Sequence, residues 1–420
     1  MAAKSTRGEC IMTNGYHSRL TTVLLAGAAS LTALSLTALG MTALSLTAAH
    51  AQDEGLPPIE WTGSNGSTLT LYGQLNMGVL SYDDGVDSES YGLVDNANSQ
   101  SRIGLTYTRR FGDWEFENTN EIGYSPFSTS NASITNDSPN ADDFEFSNSN
   151  IRKLDFAFSN DRVGKVSIGQ GSMATDGVQE IDLSGTDVVA YSSVGDSAAG
   201  QILRFSGGGL GFDESLSDVT IGDAFTDYDG PRRVRVRYDT PSFSGVTLAA
   251  AFGRDLLADD DDIRDQNIAD VSLTYENAFG DFETEAGLGY YWQEDSLDAW
   301  GGSASGLHTP TGVNLTLGFG AGSPEDGPDG QWYYAKLGLL REYLAWGDTA
   351  LSVDYYKGDD FYVAGDATSS ESKSWGVAAV QNIDRANTEV YLTYRSYDYS
   401  DNFASYEDGA AIFGGARFKF

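Results

Sequence analysis

The chain has 420 residues, and its 61 acidic side chains against 25 basic ones leave a formal net charge of −36. So acidic a protein is a poor partner for nucleic acid, because phosphate binding needs a basic footprint. It contains one cysteine and three histidines, which argues against the usual zinc sites and Cys–His nucleophilic chemistry.

Residues 1–51 have the pattern of a secretory signal peptide. Arg19 precedes a long run of Leu, Ala, Ser and Thr, which ends in Ala49-His50-Ala51. A basic segment, an apolar segment and an Ala-x-Ala site are removed together on export, so we place the mature N-terminus at Gln52. An uncleaved membrane anchor is the alternative. Met12 is an alternative start, since the leader that follows it has a more conventional length.

The rest of the chain alternates apolar and polar residues with a period of two, which predicts β-strands. In LTLYGQLNMGV, for example, Leu69 and Leu71 share one face, while Tyr72 and Gln74 share the other. We predict sixteen strands. They lie at residues 68–80, 99–110, 114–124, 151–159, 165–170, 232–239, 246–254, 268–277, 281–293, 301–308, 312–320, 331–343, 349–357, 374–382, 388–399 and 410–420.

Short turns and long acidic loops alternate between these strands without a break in parity. Membrane barrels have this arrangement, with short turns at one rim and long loops at the other. Packed β-sandwiches are the alternative, but they lack the parity. The sequence therefore predicts an all-β fold, a sixteen-stranded antiparallel transmembrane β-barrel within residues 52–420.

The last predicted strand, AAIFGGARFKF, ends on an aromatic residue. Phe418 and Phe420 share a face with Ile412, and Arg417 and Lys419 point the other way. A strand of this form suits a barrel that must close and be recognised for insertion. Phe418 and Phe420 are therefore the predicted insertion signal.

The chain resembles the general, trimeric, sixteen-stranded porins of Gram-negative outer membranes, most closely their alphaproteobacterial branch. The stretches that carry the resemblance are LTLYGQLNMGV, SRIGLTY, GKVSIGQG, RVRVRYDTPSFSGVTLAAAFG, HTPTGVNLTLGFG, YYAKLGL, TALSVDYYKGDD and the terminal Phe420. The resemblance implies a water-filled barrel in the outer membrane, with the third long loop folded inward as a constriction. It also implies a homotrimer and passive diffusion of ions and small hydrophilic solutes, without enzymatic activity or a required cofactor.

The third long loop, at about residues 171–231, is longer than the family pattern and holds the segments QILRFSGGG and DVTIGD. Those segments are candidates for an extra hairpin. The loop is dense in acids and contains a single base, Arg204. The acids proposed to face the pore are Asp176, Glu180, Asp182 and Asp187.

The strand after this loop contains the unusual stretch PRRVRVRYDTP. Its apolar face consists of Val234, Val236 and Tyr238. That face is assigned to lipid, because arginine at mid-bilayer would cost about 2–4 kcal/mol. The proposed basic wall of the lumen consists of Arg233, Arg235, Arg237 and, by the same inward parity, Arg102. Acids and arginines facing each other across a constriction would orient dipolar solutes and discriminate between ions.

The alternative for the arginines is that they stay solvated or pair with wall acids such as Asp155 and Asp270. A further acidic run consists of Asp259, Asp260, Asp261 and Asp262. Carboxylates of this kind can bind calcium, but the spacing is not that of an EF-hand, and surface solvation is the alternative. Outer-membrane lipid and lipopolysaccharide are the other expected partners.

Two other functions stay open. One is a channel selective for a sugar, which would need aromatic residues along the lumen; the inward candidates are the scattered Tyr72, Tyr291 and Tyr391. The other is a secreted calcium-binding adhesin rich in β-structure. Catalysis is not expected, since the histidine left after residues 1–51 are removed, His308, lies beside a tight turn.

Overall fold

The computed structural model describes residues 56–139, 144–206, 215–258 and 261–420, apart from the side chains of Asp261 and Asp262. The predicted signal peptide, residues 1–51, lies outside the described residues. Within them, no helix is both long enough and apolar enough to cross a membrane.

Most of the described chain is β-strand. The first ten strands are β1 (Ile59–Thr62), β2 (Thr68–Asp83), β3 (Ser88–Asp95), β4 (Arg102–Phe111), β5 (Trp114–Gly123), β6 (Ile151–Asn160), β7 (Gly164–Ser172), β8 (Ile202–Arg204), β9 (Leu216–Thr220) and β10 (Arg232–Asp239). The next ten are β11 (Val246–Arg254), β12 (Ile268–Phe279), β13 (Phe282–Gln293), β14 (Leu297–His308), β15 (Val313–Pro324), β16 (Gly330–Leu344), β17 (Gly347–Asp359), β18 (Ser370–Ile383), β19 (Thr388–Asp401) and β20 (Gly409–Lys419). Two short α-helices are α1 (Ile221–Ala224) and α2 (Asp261–Asp265).

Sixteen of these strands close into a barrel. They are β2, β4 to β7 and β10 to β20, each paired antiparallel with the next. The ring closes where β20 pairs with β2, from Gln74↔Lys419 to Asp83↔Ala410. The prediction of a sixteen-stranded antiparallel barrel is confirmed, and each predicted strand corresponds to one strand of the ring.

The period-two alternation of the sequence separates the two faces of the wall. On β15, Leu315 and Leu317 are each 51 % exposed, whereas Asn314 is 1 % and Thr316 is 3 % exposed. Apolar side chains thus point to the lipid and polar ones to the interior, as in membrane barrels.

Strands β1 and β3 were not predicted. β1 pairs with the first residues of β2, as in Ile59↔Leu71, and β3 pairs with the far end of β2, as in Leu80↔Tyr91. Both are hairpin partners of one long strand. β3 falls in the segment that the sequence assigned to a loop, since its residues alternate only weakly.

The third long loop folds into the barrel. Its backbone N–H groups at Ile181 and Leu183 donate to the inward-facing hydroxyls of Ser303 and Ser305, each at 2.9 Å. Further along the loop, the Tyr397 hydroxyl of the wall donates to the Val194 carbonyl at 3.0 Å. The inward folding is confirmed, and the extra hairpin is β8–β9.

The apolar core of the protein lies inside the barrel, between the loop and the wall. Val189 and Phe225 of the loop and Trp332, Tyr356 and Phe413 of the wall are all fully buried there. The Phe225 ring lies 5.0 Å from that of Tyr397. Burying one such side chain stabilises the fold by about 1.5–3 kcal/mol, so the loop packs firmly against the β16 to β20 side of the lumen.

Candidate pore constriction

Strand β10 places its arginines on the inner face of the wall. Val236 and Tyr238 are exposed on the outer face, whereas Arg235 is buried. β10 pairs with β7 on one side and β11 on the other. The parity expected for Arg233, Arg235 and Arg237 therefore holds in the barrel.

Arg235 is held by a carboxylate of the wall. Its two terminal nitrogens donate to the two Asp155 carboxylate oxygens at 2.9 Å each. Its Nε donates to the Ser172 carbonyl at 3.0 Å, and the residue is only 5 % exposed. This arginine is therefore neutralised within the protein.

The neighbouring arginines are also paired, but less deeply. Arg233 lies 3.4 Å from an Asp255 oxygen, and Arg237 lies 2.7 Å from Asp239. Arg232 lies 3.5 Å from Asp176, so Asp176 is the predicted loop acid that meets this row of bases.

Asp176 and Arg237 line one cavity of the lumen. Its volume is about 720 Å³, and it lies between the loop and the inner faces of β11, β12 and β13. The other charged residues of its lining are Glu276, Glu283 and Glu285. Within the described residues, none of these three glutamates forms an ion pair, so the cavity carries excess negative charge.

Asp182 lies elsewhere, on the opposite side of the loop. Its carboxylate forms a buried ion pair with Lys336 of β16 and accepts a hydrogen bond from the Thr316 hydroxyl at 3.1 Å. Both charged side chains are almost fully buried. Asp182 therefore fixes the loop to the wall and does not face the arginine row.

Glu180 lies among other carboxylates of the same loop. Asp229 accepts from the backbone N–H groups of Gly177 at 2.5 Å and Gln179 at 3.0 Å. Asp227 accepts from the Ser192 hydroxyl at 2.8 Å. Burial, together with the negative charges of Asp229 and Asp227, raises the pKa of Glu180 well above its usual range. Protonation of this group of acids therefore relieves their mutual repulsion.

Asp187 is exposed, although Thr186 and Val188 on either side of it are buried. The Asn96 side chain donates to the Val188 carbonyl at 2.7 Å and ties this turn to the residue that follows β3. Enclosure by the surrounding protein raises the pKa of Asp187, and the positive charge of Arg417 opposes that rise. Asp187 thus presents its carboxylate to the lumen near the β20 wall.

Arg102 of β4 belongs to a second basic group, together with Arg152 and Lys153 of β6. Its Nε lies 4.0 Å from a Glu121 oxygen, and its side chain is 26 % exposed. Glu121 also binds Arg152 at 2.7 Å, and Lys153 has no carboxylate partner among the described residues. Two of these three bases share one carboxylate and the third has none, which leaves excess positive charge on this part of the lumen wall.

The family of Gram-negative porins matches residues 35–402 of the chain. The chain belongs to that family. It is a multi-pass β-barrel protein of the outer membrane and forms an outer-membrane channel, as the sequence predicted.

Solved structures share the fold of this porin at low sequence identity. An anion-selective porin from Comamonas acidovorans has a TM-score of 0.54 and 17% identity, covering 84% of this chain and 100% of its own. A Salmonella typhi OmpF complex with daunomycin has a TM-score of 0.54 and 13% identity, covering 86% of this chain and 100% of its own. OmpT of Vibrio cholerae in its trimer form has a TM-score of 0.51 and 14% identity, covering 84% of this chain and 99% of its own. No curated protein is similar to the chain in sequence.

Three basic residues that form ion pairs inside the barrel were not among the predicted constriction residues: Lys336, Arg417 and Arg152. Arg417 has the inward parity that was noted for β20, which was the available signal. Arg152 is the unpaired residue at a register shift, since Glu121 pairs with Lys153 but Ile122 pairs with Ile151. Strict alternation cannot place a residue at such a bulge.

The predicted calcium site of the porin is only partly described. Asp259 and Asp260 lie outside the described residues. Asp261 and Asp262 begin α2. Among the residues that the structure does describe, no group of three or more His, Cys, Asp or Glu side chains could hold a metal ion. Calcium binding by the acidic run stays a prediction.

The C-terminal strand of the porin ends against β2. Phe420 exchanges two backbone hydrogen bonds with Gly73, at 2.9 and 3.0 Å. The Phe418 and Phe420 rings are stacked, with centroids 6.0 Å apart. Their proposed role as an insertion signal stays a prediction.

Proposed function

We propose that this porin is a passive, charge-filtered channel for ions and small hydrophilic solutes, with no catalytic activity. One observation carries the proposal: Asp176 of the inward loop and Arg237 of the wall line the same lumen cavity. A solute that passes there meets both signs of charge at short range. Fixed charges of this kind filter solutes without any energy input.

The balance of charge in that cavity favours cations. Glu276, Glu283 and Glu285 add three carboxylates to its lining, and Glu276 faces Glu285 directly across β12 and β13. Arg237 is the single base of the lining and is already paired with Asp239. A water-filled cleft with low-dielectric walls concentrates counter-ions of the opposite sign.

A second filter lies between the loop and the wall formed by β4, β6 and β20. The exposed Asp187 supplies the negative charge, and the positive charge of Arg417, which is itself paired with Glu389, acts on it. Arg102 and Lys153 extend the basic side. A transverse field of this kind would orient dipolar solutes as they pass.

General diffusion is favoured over a sugar-selective channel. Tyr291 and Tyr391 are buried, and the many inward aromatics of β16 to β19 pack against the loop. Of the three inward candidates, Tyr72 is partly exposed, and its hydroxyl donates to Glu121 at 2.9 Å. A sugar path would need a continuous aromatic surface open to water.

We also propose a homotrimer, with outer-membrane lipid and lipopolysaccharide around its outer face. The support is that OmpT of Vibrio cholerae, which shares the fold, has been solved in a trimer form. Unheated gel electrophoresis of the extracted protein, together with chemical cross-linking, would count the subunits. A species that runs as a monomer under both conditions would reject the trimer.

Recording from the purified protein in a planar lipid bilayer tests the channel. We expect stable stepwise conductance and a reversal potential that reports a K⁺/Cl⁻ permeability ratio above one. Neutralising Asp176 as Asp176→Asn should lower that ratio, because the cavity loses one negative charge. A folded, heat-modifiable protein that never conducts would disprove the proposal.

A further inference from the structure

Lys336 is a basic residue buried in the wall of a water-filled barrel. It lies on the inner face of β16 and is 1 % exposed. A lysine ammonium has three donors and no acceptor, and its burial is costly unless those donors are satisfied. Its surroundings therefore have to supply both acceptors and negative charge.

Every hydrogen-bond acceptor of this ammonium belongs to the third loop. They are the Asp182 carboxylate, the Ser184 hydroxyl at 3.2 Å, the Thr186 hydroxyl at 3.1 Å and the Ala190 carbonyl at 2.5 Å. The loop thus wraps around a charge that comes from the wall. Residues 182–190 form one tight segment around it, which we call the lysine turn.

Internal hydrogen bonds make the lysine turn compact. The Ser184 N–H donates to Asp182 at 2.8 Å, and the Ala190 N–H donates to the Thr186 carbonyl at 2.9 Å. Gly185 has a φ of +75°, and a Cβ there would lie 3.1 Å from Leu340. The turn is therefore pressed against the wall, and glycine is needed at its bend.

Asp187 projects from this turn into the lumen. The Thr186 hydroxyl on one side of it also bonds to the Ser352 hydroxyl of β17 at 2.9 Å. On the other side, Val188 belongs to the buried core. The position of the exposed carboxylate therefore follows from how its two neighbours are anchored.

We propose that Lys336 is a positioning residue for the charge filter: it holds Asp187 in place from behind the loop and so sets the ion selectivity of a channel that it never touches. This inference rests on the proposed function. A neutral residue at position 336 would leave the Asp182 carboxylate buried without a counter-charge, which is strongly unfavourable. The lysine turn would then move, and Asp187 with it.

A double-mutant cycle on the permeability ratio tests the inference. Lys336→Met should lower the K⁺/Cl⁻ permeability ratio in the same direction as Asp187→Asn, by about two-fold. In the double variant, the ratio should equal that of Asp187→Asn alone, because the lysine acts only through that carboxylate. Additive effects would show that Lys336 acts by another route and would overturn the inference.

The matched control is the other deeply buried pair of the wall, Arg395 with Asp354. The partners of Arg395 are Asp354 and Ser374, both on the wall. The variant Arg395→Met with Asp354→Asn removes both charges and should leave the permeability ratio unchanged. A shift as large as that of Lys336→Met would mean that any wall substitution moves selectivity, and the inference would fail.

Asp182→Asn provides a second route if Lys336→Met does not assemble. It removes the counter-charge while retaining the lysine, and we expect the same fall in the permeability ratio. Suppose that Asp187→Asn shifts the permeability ratio, while a folded Lys336→Met or Asp182→Asn variant leaves it unchanged. That result overturns the positioning role of Lys336 but leaves the proposed filter intact. An unchanged ratio in Asp187→Asn removes the proposed filter itself and the inference with it.

Discussion

Arg235 of β10 reaches across β7 and forms a two-bonded ion pair with Asp155 of β6. The strand between them carries Gly169 and Gly171, and a Cβ at Gly171 would lie 3.0 Å from the arginine Nη2. The guanidinium therefore lies in a gap that only glycine leaves open. Because Asp155 neutralises Arg235, the arginine-rich strand β10 does not present all of its charges to the pore.

Replacing Arg235 should therefore affect stability more than selectivity. Arg235→Met leaves Asp155 partly buried and unpaired, and we expect a loss of about 3–5 kcal/mol in the free energy of unfolding. The K⁺/Cl⁻ permeability ratio should stay close to that of the unmodified porin. Heat-modifiability on gels and bilayer recording of one preparation give both readouts. A large selectivity shift without destabilisation would contradict the assignment.

The three glutamates of the lumen cavity should govern cation preference. The triple variant Glu276→Gln, Glu283→Gln and Glu285→Gln should lower the K⁺/Cl⁻ permeability ratio several-fold at low salt, and less at high salt, because salt screens fixed charges. Glu342→Gln is the control, since this acid is exposed and does not line the cavity. Equal effects of the triple and the control variants would rule out a local role for the cavity.

Acidification should reduce cation selectivity through Asp187. Its pKa is raised by enclosure in the protein, so the carboxylate takes up a proton at a higher pH than a free aspartate, whose pKa is about 3.9. As the pH falls through that raised value, the negative charge is lost. Reversal potentials measured from pH 8 to pH 4 should show this fall in cation selectivity, and the part of the fall that comes from Asp187 should be absent in the Asp187→Asn variant. An identical pH profile in both proteins would refute the role of Asp187.

The docking of the third loop should strengthen as the pH falls. Burial raises the pKa of Asp196 to about 6, above its value of about 3.9 in the unfolded chain. The folded loop then binds more protons than the unfolded one, so stability rises as the pH falls through about 6 and the gain is complete below about 3.9. Hydrogen exchange of the loop should be slower at pH 5 than at pH 8 after correction for intrinsic rates, and Asp196→Asn should reduce the difference.

Loss of the terminal aromatic should impair assembly. Phe420 pairs with Gly73 at the seam of the barrel, and its ring stacks on Phe418. Deletion of Phe420 should lower the yield of heat-modifiable barrel in the outer membrane, whereas Phe420→Tyr should retain most of it. The amounts of folded and unfolded protein, measured as gel bands after membrane fractionation, distinguish the deletion from Phe420→Tyr. Normal yield from the deletion would show that the aromatic end is dispensable.

Local pattern was enough to predict the ring of strands. Alternation on β15 and β20 comes directly from the need to present apolar residues to lipid and polar ones to water, so the faces of Leu315 and Arg417 can be read without any partner. The short strands β1 and β3 have no such constraint of their own. They form because β2 is longer than the strands beside it and has edges left to pair.

The barrel, its inward and outward faces, and the position of an acid-rich loop directly before an arginine-rich strand could all be predicted from residue order. Which charges meet follows only from the folded protein. Arg235 pairs with Asp155 across an intervening strand, Asp182 pairs with Lys336 more than 150 residues away, and Asp187 remains exposed to the lumen. The physical reason is that side-chain parity is a property of one strand, whereas ion pairing depends on how a long loop packs against the whole wall.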